Sequence, residues 1–216
     1  MTKISDQYQA GYFDWQSQVG KFGGKANLFK FQKLIKPDDK VLDYGCGGGF
    51  LLSELVCGRR VGLDINPIIQ APEGVEIYRQ YSALKNLVGS GFFDVVISNH
   101  SLEHIENPSQ ALMECFDLLK PGGTIIVVVP SESHWVRYRT GDINNHIVTF
   151  APINLGNLLA LTGFDVLSVK RLFHKWPPKH LVIAKLSWGL FHLSSYIYGI
   201  FKFKSIQLIA VAQKPL

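Results

Sequence analysis

Apolar residues of this chain come in short, nearly continuous runs separated by segments with helical spacing. Four runs of strand length occupy residues 40–44, 60–64, 92–97 and 124–129. Because these runs do not alternate with polar residues, they are typical of strands that are covered on both faces. Between the last two runs, Pro108 opens a stretch in which Leu112, Cys115, Phe116 and Leu119 recur every three or four residues, which predicts a helix. The alternation predicts an α/β fold with a parallel, doubly wound sheet.

The length of 216 residues suits one domain with a large core, and no shift in composition marks a boundary inside it. We therefore expect a single domain over residues 1–216. Its parts are N-terminal helices that form a lid or cap (1–36), a core (37–172), an apolar and basic helical insert (173–204) and an alternating last strand (205–213). The last strand must return to the sheet that residues 164–172 leave, so the insert begins and ends on one side.

A glycine-rich turn follows the first predicted strand. Asp43 ends the strand, and Gly45, Gly47 and Gly49 follow at alternate positions. Glycines permit positive φ and carry no Cβ, so backbone N–H groups can approach a ligand closely at the start of the next helix. A carboxylate at the strand end repels a pyrophosphate and attracts a ligand that carries an ammonium and a sulfonium. The turn therefore predicts a cationic cofactor.

A second acidic strand end supports a nucleoside ligand. Asp64 ends the run 60–64 and lies 21 residues beyond Asp43, close to the offset of roughly 20 residues at which an acidic side chain meets a ribose diol. The dinucleotide fingerprint G-x-G-x-x-G would place its third glycine at position 50, where this chain has Phe50. A nicotinamide or flavin oxidoreductase is therefore disfavoured.

These residues resemble the class I S-adenosylmethionine-dependent methyltransferases. The nucleotide loop is matched by residues 43–49 and the ribose-binding acid by Asp64, and the family's fourth strand and loop are matched by residues 92–105. The turn Leu-Lys-Pro-Gly-Gly at 119–123 also resembles that family, and the segment 146–164 resembles the ending of its small-molecule members, such as the 3-demethylubiquinone O-methyltransferases. The resemblance spans about residues 25 to 172. It implies a Rossmann-like, mostly parallel sheet of seven strands with an antiparallel C-terminal strand, and S-adenosylmethionine as the cofactor.

The resemblance also implies which residues bind the cofactor. Lys30 matches the arginine of an Asn-x-x-Arg segment that holds the cofactor carboxylate, although an exposed lysine on an amphipathic helix is an equal alternative. Ser82 and the backbone of Ala83 are expected near the adenine. The full predicted set is Lys30, Asp43, Gly45, Cys46, Gly47, Gly49, Asp64, Ile65, Ser82, Ala83, Asn99 and His100.

Histidines after strand ends are the candidate catalytic groups, because ligands in open α/β sheets bind outside the carboxyl ends of the strands. If the acceptor is a hydroxyl, a base that titrates near neutrality helps, and we assign this role to His146 and His104. A structural role, in which His104 only hydrogen-bonds backbone, is the alternative. Glu103 and His104 resemble a metal-binding Glu-His pair of demethylubiquinone methyltransferases, but His100 replaces a glutamate, which disfavours magnesium. No metal requirement is predicted.

The charge of the chain is unevenly distributed. The net charge is +5, but residues 166–216 contain eight Lys or Arg and no Asp or Glu, which leaves −3 for the remainder. The basic residues flank the apolar segment 181–203, whose charge-free part, 186–201, is shorter than the roughly 20 residues that a membrane span needs. In this segment Lys185, His192, Ser195 and Lys202 would form a narrow polar stripe on one apolar helix. Such a helix suits a lid, a homodimer face or a peripheral membrane contact.

The acceptor is the least defined part of the prediction. Aromatic residues of the N-terminus (Tyr8, Tyr12, Phe13, Trp15) and residues after the fifth strand (Trp135, Arg137, Tyr138, Arg139) are candidates for contact with a small or lipid-linked acceptor. No nucleic acid is expected, because residues 98–101 read Ser-Asn-His-Ser where a base-clamping Asn/Asp-Pro-Pro-aromatic motif would stand.

The compartment and the activity are predicted with one alternative each. Three cysteines without zinc-like spacing, and a polar N-terminus, favour the cytoplasm, either free or peripheral to the inner membrane face. The predicted activity is methyl transfer to an oxygen of the acceptor. A cofactor-binding protein of the same fold without turnover, associated with a membrane or partner, is the alternative.

Overall fold

A computed structural model describes residues 20–66, 70–132, 137, 140, 144–202 and 205–216. The strands are β1 (Lys40–Tyr44), β2 (Arg59–Leu63), β3 (Glu76–Tyr78), β4 (Phe93–Asn99), β5 (Leu119–Glu132), β6 (Asp165–Leu172) and β7 (Ser205–Gln213). The helices are α1 (20–27 within the described part), α2 (Phe50–Glu54), α3 (Tyr81–Val88), α4 (Pro108–Leu118), α5 (Pro152–Leu161), α6 (His180–Leu186) and α7 (Trp188–Phe201). All four predicted strand runs are strands.

The seven strands form one sheet in the order β3-β2-β1-β4-β5-β7-β6. Strands β1 to β5 pair in parallel, and β7 lies between β5 and β6 and is antiparallel to both. The predicted mostly parallel, seven-stranded α/β sheet with an antiparallel last strand is confirmed. The chain order reverses between β1 and β4, and this switch point is where open α/β sheets bind ligands.

The central strands are buried on both faces, as their continuous apolar runs predict. One hydrophobic cluster joins β4 and β5 to α4 and α5, with Leu112 and Leu155 fully buried, and a second cluster joins the other face to α2 through Leu52. The start of α4 is fixed by Asn107, whose Oδ1 accepts a hydrogen bond from Gln110 N at 3.1 Å. Capping by a side-chain oxygen explains why this predicted helix begins as expected.

The insert differs from the prediction in one respect. The segment 181–203 is two helices and not one, because Ser187 is extended (ψ 132) and its Oγ accepts a hydrogen bond from Leu190 N, which caps α7. The predicted polar stripe is therefore wrong: Ser195 is fully buried and His192 faces Phe191 and His174, while Lys185 and Lys202 are exposed. Phe191 packs with Ala26 of α1, so the insert and α1 form a small third cluster.

No helix among the described residues is long and apolar enough to cross a bilayer. The aromatic residues of the predicted N-terminal lid, together with Trp135, Tyr138 and Arg139, lie outside the described residues. Arg137 is described and is exposed.

Candidate functional site

The glycine turn after β1 has the backbone that its sequence predicts. Gly45, Gly47 and Gly49 adopt φ of 83°, 52° and 71°, the left-handed region that favours glycine. At Gly45 a Cβ would lie 1.9 Å from Ser101 Oγ, so no other residue fits without displacing the loop after β4. Gly45 N donates to Leu63 O at 2.7 Å, which joins the turn to the end of β2.

A cavity of about 260 Å³ opens above this turn. Its lining includes six of the predicted cofactor residues, namely Asp43, Gly45, Cys46, Gly47, Asn99 and His100. It also includes residues that the prediction missed, namely Gly20, Gly23, Gly24, Asn27, Gly48, Phe50, Leu51 and Trp176. The glycines of α1 are close-packed on the turn, since a Cβ on Gly24 would lie 2.5 Å from Phe50 O.

Asp43 is a buried carboxylate at the floor of this cavity. Its side chain is 2% exposed, and Oδ1 has no hydrogen-bond partner among the described residues. Burial, together with the charge of Asp64, raises the pKa of Asp43 to about 8. An unpaired buried carboxylate is costly, and a cationic ligand in the cavity would satisfy it. This orphaned oxygen fits the predicted sulfonium and ammonium of the cofactor.

Asp64 is placed beside the turn. Its Oδ2 accepts from Gly47 N at 2.7 Å and its Oδ1 accepts from Asn66 N at 2.9 Å. Burial raises the pKa of Asp64, and the two N–H donors oppose that shift. The carboxylate therefore holds the middle glycine of the turn, and each oxygen keeps a lone pair for a ribose hydroxyl. Ile65, the next predicted contact, is 75% exposed.

The predicted adenine contacts are not brought to the cavity. Ser82 and Ala83 lie in the first turn of α3 and are both exposed, and neither belongs to the described lining. The neighbouring Tyr81 donates its hydroxyl proton to Asp117 Oδ2 at 2.5 Å, which holds this end of α3 against α4. The adenine role of Ser82 and Ala83 stays a prediction.

Lys30 is buried and not exposed, so it is not the solvated lysine of the alternative interpretation. Its Nζ donates to Gln207 Oε1 at 2.5 Å and lies 3.4 Å from Asn99 Oδ1. Burial lowers the pKa of Lys30 to about 7, and the charge of Glu103 opposes this shift. Asn99 belongs to the described lining of the cavity and Lys30 does not. The contact of Lys30 with Asn99 therefore connects the lysine to the predicted methionine end of the site.

His100 connects the cavity to a buried acid. Its Nδ1 lies 3.2 Å from Glu103 Oε1 and its Nε2 lies 3.1 Å from Gln207 Oε1. The amide of Gln207 is oriented by its own Nε2, which donates to His174 O at 2.8 Å. Glu103 and Gln207 thus face the two ring nitrogens and fix the orientation of the imidazole beside the cavity. His100 also adopts φ of 56°, a conformation that residues other than glycine rarely use.

His146 and His104 lie together on the far side of Glu103. Their ring centroids are 5.1 Å apart, and His104 Nε2 is 3.9 Å from Glu103 Oε1. His146 Nδ1 is 2.9 Å from Glu132 Oε1, at the end of β5. Burial lowers the pKa of His104, with the charge of Glu103 opposing and that of His146 adding to the shift. Neither histidine belongs to the described cavity lining. They are connected to the cavity through Glu103, which contacts His100, and His100 lines the cavity.

Sequence reasoning missed Glu132, Gln207 and Trp176. Each is separated by many positions from the motif that it supports. Gln207 reaches the site because β7 returns between β5 and β6. Trp176 reaches it because the insert packs on α1. A weak signal existed for Glu132, since it is a carboxylate three positions beyond the predicted buried strand 124–129. No such signal marked the other two.

Glu103, His104 and His146 have the geometry of a possible metal site, because one ligand atom from each lies within 4.8 Å of the others. Two imidazoles and one carboxylate are softer ligands than magnesium prefers. We predict that turnover is unchanged by excess EDTA and by added magnesium, measured as formation of S-adenosylhomocysteine. A loss in EDTA that zinc restores and magnesium does not would contradict this and assign the three residues to zinc, for which such ligands are common.

Comparison with known proteins identifies the family. A family model described as a methyltransferase domain matches residues 21–169, more than half of the chain. The ubiquinone biosynthesis O-methyltransferase of Xanthomonas campestris is 37% identical over a stretch that covers 44% of this chain and 44% of that protein. The mitochondrial counterpart of Schizosaccharomyces pombe is 25% identical over 60% of this chain and 52% of that protein. The match thus spans about half the length of these curated relatives.

Solved structures share the fold at low sequence identity. Phosphoethanolamine N-methyltransferase 2 of Haemonchus contortus, in complex with phosphomonomethylethanolamine and S-adenosylhomocysteine, superposes with a TM-score of 0.67 at 17% identity, covering 97% of this chain and 59% of that one. A SAM-dependent methyltransferase of Archaeoglobus fulgidus gives 0.64 at 20% identity, covering 94% and 99%. With its glycine turn, its two acidic strand ends and its sheet order, the chain belongs to the methyltransferase-domain family, as its resemblance to the class I S-adenosylmethionine-dependent enzymes predicted.

Proposed function

We propose that this protein transfers a methyl group from S-adenosylmethionine to an oxygen of a small or lipid-linked acceptor. The observation that carries the proposal is the glycine-lined cavity over the buried carboxyl group of Asp43, whose Oδ1 has no hydrogen-bond partner among the described residues. Curated relatives whose names specify O-methyl transfer in ubiquinone biosynthesis support oxygen and a lipid-linked acceptor. Three free, buried cysteines support the cytoplasm, where thiols stay reduced.

When bound, the cofactor supplies an electrophilic methyl group on a sulfonium, so that a C–O bond forms as the C–S bond breaks and neutral S-adenosylhomocysteine remains. Asp43 would face the positive charge of the cofactor, Asp64 its ribose, and His100 with Lys30 its carboxylate. Alignment and exclusion of water supply much of the rate in such a displacement.

The acceptor proton needs a base if the acceptor is a hydroxyl. His146 is suited to this role because its Nδ1 faces Glu132, so that Nε2 is the nitrogen that would accept the proton. Accepting the hydroxyl proton would make His146 an imidazolium, which the Glu132 carboxylate stabilises. The proton then lies away from the cationic cofactor, which lowers the electrostatic cost of the transfer.

One observation favours a second candidate, a cofactor-binding protein without turnover. His146 and His104 are absent from the described lining of the cavity. Methyl transfer would therefore need an acceptor that contacts both the cofactor in the cavity and the histidines beside it. Release of S-adenosylhomocysteine with a panel of phenolic and lipid-linked hydroxyl acceptors separates the two candidates, because only the enzyme releases product.

The cofactor assignment is tested by calorimetric titration. We expect S-adenosylhomocysteine to bind with micromolar affinity and Asp64→Ala to weaken it by about a hundredfold or more, since the variant loses the ribose acceptor and the anchor of Gly47 N. Glu76→Ala serves as the control and should bind like the wild type. It removes an exposed carboxylate of β3 that is paired with Arg59 of the neighbouring strand β2. Binding of NADH in place of S-adenosylhomocysteine would reject the proposal.

A further inference from the structure

The insert carries an apolar face that the rest of the described chain does not cover. On α7 the side chains of Leu190, Leu193, Tyr196, Ile197, Ile200 and Phe201 are 44% to 76% exposed, and on α6 those of Leu181, Val182 and Leu186 are 52% to 76% exposed. The α7 positions recur at spacings of three and four, so they form one continuous stripe. We call these nine residues the insert face.

The helix α7 differs from a helix on a water-facing surface because its outer side is apolar. Its inner side already buries Phe191, Ser195 and Gly199, so the six exposed apolar side chains of α7 are not needed to pack the helix on the domain. Scattered exposed apolar residues are normal, but a contiguous stripe of this length marks an interaction surface. The partner of this surface must therefore be apolar where it meets the insert face.

Basic residues border the insert face, and no acidic residue of the C-terminal part opposes them. Lys179 precedes α6, Lys185 lies in its last turn and Lys202 follows α7, and all three are exposed. Residues 166–216 contain no Asp or Glu. On α1 the exposed Lys25 places its Nζ 5.1 Å from the ring of Trp188, at the start of α7. The charged residues named here, which border the insert face, are therefore all positive.

This charge distinguishes between the two partners that an apolar face can have. A second copy of the chain, packed face to face, would bring two lysine borders together, and their repulsion opposes association. The surface of an anionic bilayer offers apolar acyl chains behind a layer of negative head groups, which matches both parts of the insert face. The helices are too short to cross the bilayer, so they would lie in its plane.

The insert face also lies close to the cofactor cavity. Trp176 lines the cavity, and its ring is 5.3 Å from that of His180, the first residue of α6. The same ring contacts Phe22 of α1 edge-on at 4.9 Å. One side chain therefore separates the cavity from the base of the insert.

We propose that α6 and α7 dock this protein on the surface of an anionic lipid bilayer, with the insert face in the acyl boundary and the lysine border among the head groups. The docking holds the cofactor cavity beside the membrane. It requires neither cofactor nor turnover, so it stands apart from the proposed methyl transfer.

The test is flotation of the full chain with vesicles, without cofactor. We expect binding to vesicles that contain phosphatidylglycerol, little binding to pure phosphatidylcholine vesicles, and weaker binding at high salt. Leu193→Glu with Ile197→Glu should lower partitioning into the anionic vesicles by about a hundredfold, because two apolar anchors are lost and two negative charges are added. The matched control, Ile153→Glu with Leu161→Glu, changes two apolar residues of α5 that are 73% and 80% exposed, and should bind as the wild type does.

The outcomes separate the proposal from its rivals. Equal loss in both double variants, or wild-type binding by the α7 variant, would overturn it. So would failure of the wild type to bind anionic vesicles. A sedimentation profile in which the wild type is a dimer and the α7 variant a monomer, with no vesicle binding, would assign the insert face to a second copy. Binding of S-adenosylhomocysteine by each variant shows that it is folded.

Discussion

Asp43→Asn is expected to weaken the binding of S-adenosylmethionine by about ten- to a hundredfold and, at the same time, to stabilise the ligand-free protein in alkaline solution. The loss of affinity follows from the loss of a charge-assisted contact with the cationic cofactor. The gain in stability follows from burial, because Asp43 Oδ1 has no partner among the described residues and an amide costs less to bury than a carboxylate. A residue that only packed would not show both effects.

The pH dependence gives the sign of the stability effect. In the folded protein the pKa of Asp43 is raised to about 8 from 3.8, so the folded state holds a proton that the unfolded state has released. The free energy of unfolding of the wild type therefore falls as the pH rises from about 4 through about 8. The asparagine variant lacks this pH-dependent contribution to the free energy of unfolding. Its stability relative to the wild type should rise by about 3 kcal/mol between roughly pH 5 and pH 8, as measured by urea denaturation.

Calorimetry in buffers of different ionisation enthalpy tests the link between the two effects. Binding of a cation beside Asp43 should release its proton below about pH 8, so the wild type loses a proton that the asparagine variant does not. Lys30, whose pKa is lowered to about 7, titrates in the same range and would take up a proton when it meets the cofactor carboxylate. Since Lys30 is unchanged in the variant, the difference in proton release isolates Asp43. Identical proton release by the two proteins would contradict the assignment.

The parts of the site that follow β1 and β2 could be predicted because they are encoded locally. Asp43, Gly45 and Asp64 stand at strand ends that the apolar runs reveal, and parallel strands bring their carboxyl ends to one edge of the sheet. The confirmed fold has the same origin, since uninterrupted apolar runs imply strands covered on both faces.

The rest depends on contacts between distant parts of the chain, which local patterns do not carry. Gln207 orients His100 across 107 positions, and it does so only because β7 inserts between β5 and β6. The break between α6 and α7 is made by a single cap at Ser187, in a mainly apolar segment that contains several other serines and polar residues. Apolar spacing could not show which side of α7 is buried, because both sides are apolar and the inner one also holds Ser195.

His146→Ala is expected to lower kcat by about a hundred- to ten-thousandfold and to leave cofactor affinity unchanged. The magnitude is that of a lost general base in proton transfer from a hydroxyl. Cofactor affinity should persist because His146 is not part of the described cavity lining. The measurement is single-turnover formation of S-adenosylhomocysteine with a saturating acceptor. His104→Ala is the comparison, since its ring lies 5.1 Å from that of His146 and it shares the neighbour Glu103. A larger loss in His104→Ala would transfer the role of base to that residue.

Glu132→Gln distinguishes a catalytic His146 from one that only packs. Glu132 Oε1 lies 2.9 Å from His146 Nδ1 and would stabilise the imidazolium that forms when His146 takes the acceptor proton. Glutamine keeps the size of the side chain and removes the charge, so we expect kcat to fall by about tenfold while KM for the acceptor stays the same. Added imidazole should restore part of the activity of His146→Ala and none of that of Glu132→Gln, because only the former lacks the ring that accepts the proton. If His146 serves packing alone, imidazole restores nothing and the charge of Glu132 is irrelevant to kcat. The proposed proton-accepting role of His146 would therefore depend on a carboxylate that stands fourteen positions before it, at the end of the strand next to β7.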